Sequence, residues 1–319
     1  DFVAFACTLP VDAVIVQDTG LLHLLRQAAP TLQIHASTQM SVHTPEGAKL
    51  LAEQGVSRVV LARELSLREI KEISRALKDG GFAHVEIEHF VHGALCMSVS
   101  GQCYFSSLLG SRSGNRGQCA QTCRLPFSAK GGTGYDLSLK DLSMIERIGE
   151  LADAGVTSFK IEGRMKTALY VAVVARTYRQ AVDDYFEDPE KYKKNIPYYQ
   201  AEIAKCTYRQ FTTGFFFGKP THETQIYDNN TYQKGAVYLG QVKEVTEDGY
   251  VVFFQKNKFR VGDMIEIMKK NGENQTVSVL QMLNEDGEET DSCPHPGEKI
   301  CMRVDGVVCA GEIMRGIER

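Results

Sequence analysis

Four cysteines between residues 96 and 123 are the groups in this chain best suited to chemistry. Cys96, Cys103, Cys119 and Cys123 are spaced C-x6-C-x15-C-x3-C. Thiolates ligate both zinc and iron–sulfur centres. Structural zinc sites pair short C-x2–4-C knuckles, a spacing that only the second pair approaches. A six-residue gap in a Gly/Ser-rich loop suits ligands that approach a bulkier cluster from several directions, with glycine amides free to bond sulfide. Zinc, or four unrelated thiols, are the competing readings. Gly93, Gly101, Gly110, Gly114 and Gly117 make a regular helix through this segment costly, so the loop is shaped around something. Residues 101–130 hold Arg112, Arg116, Arg124 and Lys130 and no acid. Arginine forks there suit carboxylate or phosphate.

The elements that must position this loop read as βα units. Strands are expected at 13–18, 32–39, 58–64, 84–90 and 158–164, each ending in polar groups. Helices are expected at 21–29, 45–54, 67–78, 139–154 and 167–186, with Thr44 before Pro45 as an N-cap and first turn. Such units close into a (β/α) barrel whose active groups come from the carboxyl ends of strands. A TIM-like barrel needs eight units and five are visible, so the chain reads as lacking its first three. An open doubly wound sheet is the alternative, without a G-x-G-x-x-G or P-loop in its favour. The barrel portion, with the cysteine loop at 92–127, is expected over 1–190. An extended aromatic connector should follow at 191–234. Alternating runs separated by EDG and KNG turns then predict a small antiparallel β-barrel domain at 235–319.

Composition narrows the function classes. A net charge of −4 over 319 residues disfavours strong non-specific attraction to nucleic acid, yet leaves room for a local anion site. No apolar run approaches the roughly 20 residues that span a bilayer, and the first residues lack a basic signal-peptide region, so no membrane partner and a cytoplasmic location are expected. Nine cysteines, an odd count in a long chain, point to metal or redox chemistry rather than disulfides.

The runs EHFVHGALCMSVSGQC and SGNRGQCAQTCR, with HASTQ, VVLARE, DLSLKDLS, FKIEGRMK and QKNKFRVGDMIEIM, resemble the peptidase U32 family along essentially the whole chain. The resemblance implies a TIM-like barrel with a [4Fe–4S] cluster on Cys96, Cys103, Cys119 and Cys123. The C-terminal barrel and TYRQFTTGFFFG are most similar to the branch that forms 5-hydroxyuridine at the tRNA wobble position, without molecular oxygen and with prephenate implicated as oxygen donor.

On that reading, tRNA is the main partner, with an identical or paralogous subunit as a second. His92, Glu88 and Glu162 are candidates for proton transfer at uracil C5, His92 first because an unperturbed imidazole titrates near working pH. Arg63, Lys160 and Arg164 would hold the donor's carboxylates, and Arg112, Arg116 and Gln39 complete the expected binding set. Other readings are an rRNA cytidine hydroxylase, a non-catalytic RNA-binding module and a collagenase-like peptidase. The last finds neither H-E-x-x-H nor G-x-S-x-G here, only Cys96 near His92.

Overall fold

Short β-branched runs alternate with amphipathic helices through the first half of the chain. The computed structural model describes residues 2–129, 131–227, 232–270 and 273–317, so Lys130 lies outside it. The chain divides into two units, residues 1–166, 174–200 and 208–232, and residues 167–173, 201–207 and 233–319.

The first unit runs α1 (Phe2–Thr8), β1 (Ala13–Val16), α2 (Thr19–Ala28), β2 (Gln33–Ala36), α3 (Pro45–Glu53), β3 (Arg58–Val60), α4 (Leu67–Asp79) and β4 (Glu86–Ala94). The cysteine segment follows, with α5 (Phe105–Gly110) and the hairpin β5 (Phe127–Ala129) and β6 (Gly132–Gly134). Then come β7 (Asp141–Ser143), α6 (Ile148–Asp153), β8 (Ser158–Ile161), α7 (Ala168–Glu187) and α8 (Pro189–Ile203), of which residues 168–173 and 201–203 fall in the second unit, and β9 (Phe211–Thr212).

The helix starts are fixed as the sequence reads. Asp18 accepts from Leu21 N at 2.7 Å, and Thr44, before Pro45, accepts from Gly47 N at 3.1 Å. Ser66 and Glu69 form a capping box on α4.

The five expected parallel strands pair as β1-β2-β3-β4, with β8 also on β4. The far end of β4 pairs antiparallel with β7, which carries β9. Among the described residues the sheet is open, in the order β1-β2-β3-β4-β7-β9 with β8 beside β4.

Two expectations are corrected. Residues 139–154 are not one helix, because Asp141–Ser143 is strand β7 and the helix covers only Ile148–Asp153. Leu139, Leu142, Ile145, Ile148 and Leu151 keep a three-residue spacing through both, so periodicity alone could not separate them. Pairing of β7 with β4 and β9 overrides it. Nor is 191–234 extended throughout, since α8 occupies its start. Asp188 Oδ1 accepts from Glu190 N at 3.0 Å ahead of that helix, and Tyr192 and Tyr199, two turns apart, are buried.

The second unit contains β10 (Ala236–Val245), β11 (Val251–Phe254), β12 (Met264–Met268), β13 (Gln275–Leu283), β14 (Lys299–Val304) and β15 (Ile313–Ile317). They close into an antiparallel barrel in the order β10-β11-β14-β13-β12-β15. Alternate residues such as Val251, Phe253, Ile265, Ile267, Val277 and Val279 fill its core. The sixth strand, β15, was not evident from the sequence and is the one that closes the ring onto β10. No described helix is long and apolar enough to cross a membrane.

Candidate functional site

The four cysteines, free thiols carried on the loop after β4, line a single cavity of about 270 Å³. Backbone and hydroxyl groups point hydrogens at their sulfurs. Gln121 N donates to Cys119 Sγ at 3.3 Å and Phe105 N to Cys103 Sγ at 3.5 Å. Ser106 Oγ lies 3.9 Å from Cys119 Sγ and accepts from Ala120 N at 3.0 Å, while Cys96 Sγ and Ser98 Oγ are 3.0 Å apart. Burial pushes the Cys123 thiol up, Arg124 opposes that, and charge on the other three thiols would push it further. Among the described residues no three His, Cys, Asp or Glu side chains form a group spaced for a metal ion. The thiols are distributed around the cavity wall.

Strand ends hold the loop in place. Glu64, just after β3, accepts from Ser100 N at 2.9 Å and contacts His43 Nε2 at 3.3 Å. Gln102 Nε2 donates to Gln39 O at 2.8 Å and Ser41 Oγ at 2.7 Å. Two glycines are required by close approach. A Cβ on Gly93, at φ +109°, would sit 2.3 Å from Glu162 O, and one on Gly117, at φ +79°, would collide with the Arg164 guanidinium.

Of the expected site residues, Gln39, Arg63, Glu162 and Arg164 line the cysteine cavity. The Arg63 guanidinium lies over the Phe90 ring at 4.1 Å, and Glu162 Oε1 accepts from Arg164 N at 3.0 Å. Arg112 is exposed, with its Nε donating to Gln118 O at 3.1 Å, and Arg116 is exposed on the same segment.

The structure does not bring Glu88, Lys160 or His92 to that cavity. Glu88 is buried in a charge ladder toward the start of β4, bound by Lys160, by Arg58 Nη1 at 3.1 Å and by Ser158 Oγ at 2.8 Å. Burial works to raise its pKa, but these partners outweigh it and hold the carboxyl below its usual range. His92 is 2% exposed, packed against the Tyr178 and Phe211 rings, with the Tyr178 hydroxyl 3.3 Å from Nδ1. Burial, helped by the Lys166 charge, takes its pKa down to about 3. His92, expected to lead proton transfer, is thus placed in the core as a neutral imidazole, away from the cysteine cavity.

Sequence reasoning did not single out Ser106 or Gln121, which embrace Cys119, because FSSLLG and CAQTC carry no signal beyond loop composition. The cavity also suits an anionic centre. Two of its buried guanidinium nitrogens, Arg63 Nε and Arg124 Nη1, have no hydrogen-bond partner among the described residues. Four thiolates with bridging sulfides would offer both charge and acceptors.

Residues 1–226 match the model of peptidase family U32, and residues 234–315 that of the peptidase family U32 C-terminal domain. The chain is 34% identical over 319 residues to tRNA hydroxylation protein P1 of Bacillus subtilis, covering 96% of this chain and 74% of that protein. It is 37% identical over 249 residues to the 23S rRNA 5-hydroxycytidine C2501 synthase of Escherichia coli, covering 75% of this chain and 36% of that one. A solved structure, the C-terminal domain of a Geobacillus thermoleovorans putative U32 peptidase, is 28% identical and covers 25% of this chain and 99% of its own, with a TM-score of 0.24.

Proposed function

Because the chain belongs to peptidase family U32, we propose that its cysteine cavity hydroxylates RNA, forming 5-hydroxyuridine at the tRNA wobble position without molecular oxygen and with a prephenate-like oxygen donor. The observation that carries this reading is the convergence of four thiols, Glu162, Arg63 and Arg164 on one cavity. The relatives named as tRNA and rRNA hydroxylating proteins support the substrate class.

Cys96, Cys103, Cys119 and Cys123 would hold a [4Fe–4S] cluster, which would supply a thiolate-ligated iron centre for electron exchange. The chain's own groups do the rest. A uracil whose C5 must be reached has to leave its stack, and the cavity mouth at the strand ends is where it would enter. Glu162 lies in the wall and takes the proton that C5 gives up. Arg63 and Arg164 grip the donor's carboxylates through charge-assisted hydrogen bonds. Arg112 and Arg116, exposed on the same acid-free segment, meet the phosphate backbone. Lys160 stays with Glu88, away from the donor.

The test is mass analysis of nucleosides from cells lacking the gene, beside an iron assay on protein purified anaerobically. The reading expects loss of 5-hydroxyuridine derivatives from tRNA and about four irons per chain. Unchanged tRNA with altered rRNA selects the ribosomal substrate, and zinc in place of iron removes the cluster.

A further inference from the structure

We propose that Arg124 and Arg209 are a fixed, buried counter-charge that sets the reduction potential of the four-cysteine centre. The inference rests on the iron–sulfur reading above. Arg124 follows Cys123 directly, is 5% exposed and lines the cavity. Its Nη2 donates to Leu95 O at 2.6 Å, while its Nη1 is buried without a partner. Behind it Arg209 is fully buried, with Nη2 donating to Asp141 Oδ1 at 2.9 Å and with Nε and Nη1 unpartnered. Tyr232 stacks beneath Arg209 at 5.2 Å and joins this group to the loop through Gln121.

Of these two desolvated guanidinium groups Arg209 is paired with Asp141, a carboxylate that Lys166 also approaches at 4.0 Å, and Arg124 donates to a backbone carbonyl instead. Arrangements of this kind are costly unless an anion completes them. The charged groups lining the cavity itself repeat the imbalance, with Arg63, Arg124 and Arg164 against Glu162. Arg164 is exposed, so water and salt screen it, whereas Arg124 and Arg209 act through a medium of low dielectric.

An added electron makes a thiolate-held cluster more negative, so a buried positive charge favours the reduced state. Arg124 lines the cavity and its Nη1 would be open to an acceptor of the centre. Arg209 holds the field behind it, and Asp141 moderates both.

The test is a redox titration of anaerobically purified full-length chain with dithionite, read by absorbance and electron paramagnetic resonance beside an iron assay. Arg124→Gln should shift the one-electron equilibrium at least tenfold toward the oxidised state, about 59 mV. Arg124→Lys, which keeps the charge, should recover most of the shift. Asp141→Asn should move the potential the opposite way, which a merely structural disturbance would not do. An unchanged or raised potential in iron-loaded Arg124→Gln overturns the inference and leaves the cluster standing. If Arg124→Gln fails to hold iron, an unchanged or lowered potential in Asp141→Asn overturns it instead. Wild-type chain that takes up no iron overturns the cluster reading and this inference together.

Discussion

Two buried charge clusters, one in each unit, are composed differently. In the C-terminal unit Arg315 donates from Nε to Glu266 at 2.6 Å and from Nη2 to Glu202 at 3.0 Å, and Lys205 reaches Glu202 at 2.6 Å and Glu266 at 3.4 Å. Two cations meet two carboxylates. Burial works to lower the pKa of Arg315, but its carboxylate partners raise it, and they in turn sit below their usual range. Near the cysteines, three cations meet one carboxylate: Arg209 donates to Asp141 Oδ1, Lys166 lies 4.0 Å from its Oδ2, and Arg124 donates instead to Leu95 O, while an unpartnered guanidinium nitrogen occurs in both clusters, Arg315 Nη1 included. The C-terminal cluster balances its charge within itself; on the reading proposed above, the cluster near the cysteines leaves part of that balance to what the cavity binds.

The contrast breaks most openly at the thiols. Cys119→Ser replaces a thiolate by a poorly ionised ligand, so iron and RNA hydroxylation should vanish together, as metal analysis and nucleoside mass spectrometry would record. Full hydroxylation without iron would mean that the arginines complement something else.

Glu162→Gln separates chemistry from charge complementation. It keeps shape while removing proton capacity, so iron loading should persist and turnover should fall by about 10²–10⁴-fold. A loss of iron instead would make Glu162 part of the structural scaffold.

Stability sharpens the comparison next. Arg315→Ala leaves Glu202 and Glu266 with Lys205 still paired to both and should cost about 3–5 kcal/mol in denaturant unfolding. Arg124→Met in iron-free protein removes a charge that has no full partner, so its cost should stay below about 1 kcal/mol. Equal losses would erase the distinction.

The smallest expected effect is a pH dependence in the core. His92 is neutral when folded, with its pKa depressed to about 3, whereas the unfolded side chain titrates near 6.5. Its contribution is therefore complete above about pH 6.5 and is lost as pH falls through that window toward 3, because the unfolded state binds the proton first. His92→Phe should flatten this part of the stability curve, measured by denaturant titration from pH 7 to 4.

That the cysteines, Gln39, Arg63, Glu162 and Arg164 lie at one cavity could be read from spacing and from the polar strand ends. His92 could not. Strict alternation places Glu88, Phe90 and His92 on one face, but the β4–β8 register shifts between Phe90 and His92. Phe90 then meets Arg63 and Lys160, while His92 meets Tyr178 and Phe211. A one-residue irregularity of this kind leaves no mark in composition. Strand β7 was hidden for the opposite reason, since its leucine fits the helical spacing of its neighbours and only long-range pairing reveals it. The C-terminal barrel was the most legible part, because its alternating runs are separated by turns such as EDG and KNG.

The cavity wall is assembled from distant stretches of chain, which has a consequence in time as well as in space. Cys123 leaves the ribosome 86 residues before Arg209 and well before Asp141, Glu162 and Arg164. At about 5–20 residues per second, that interval lasts roughly 4–17 s. During it all four thiols are present, while Glu162 and Arg164 of the wall and the buried Arg209 are still being added. Metal delivered in that window meets an open loop rather than a shaped cavity, so selective loading belongs to the finished chain.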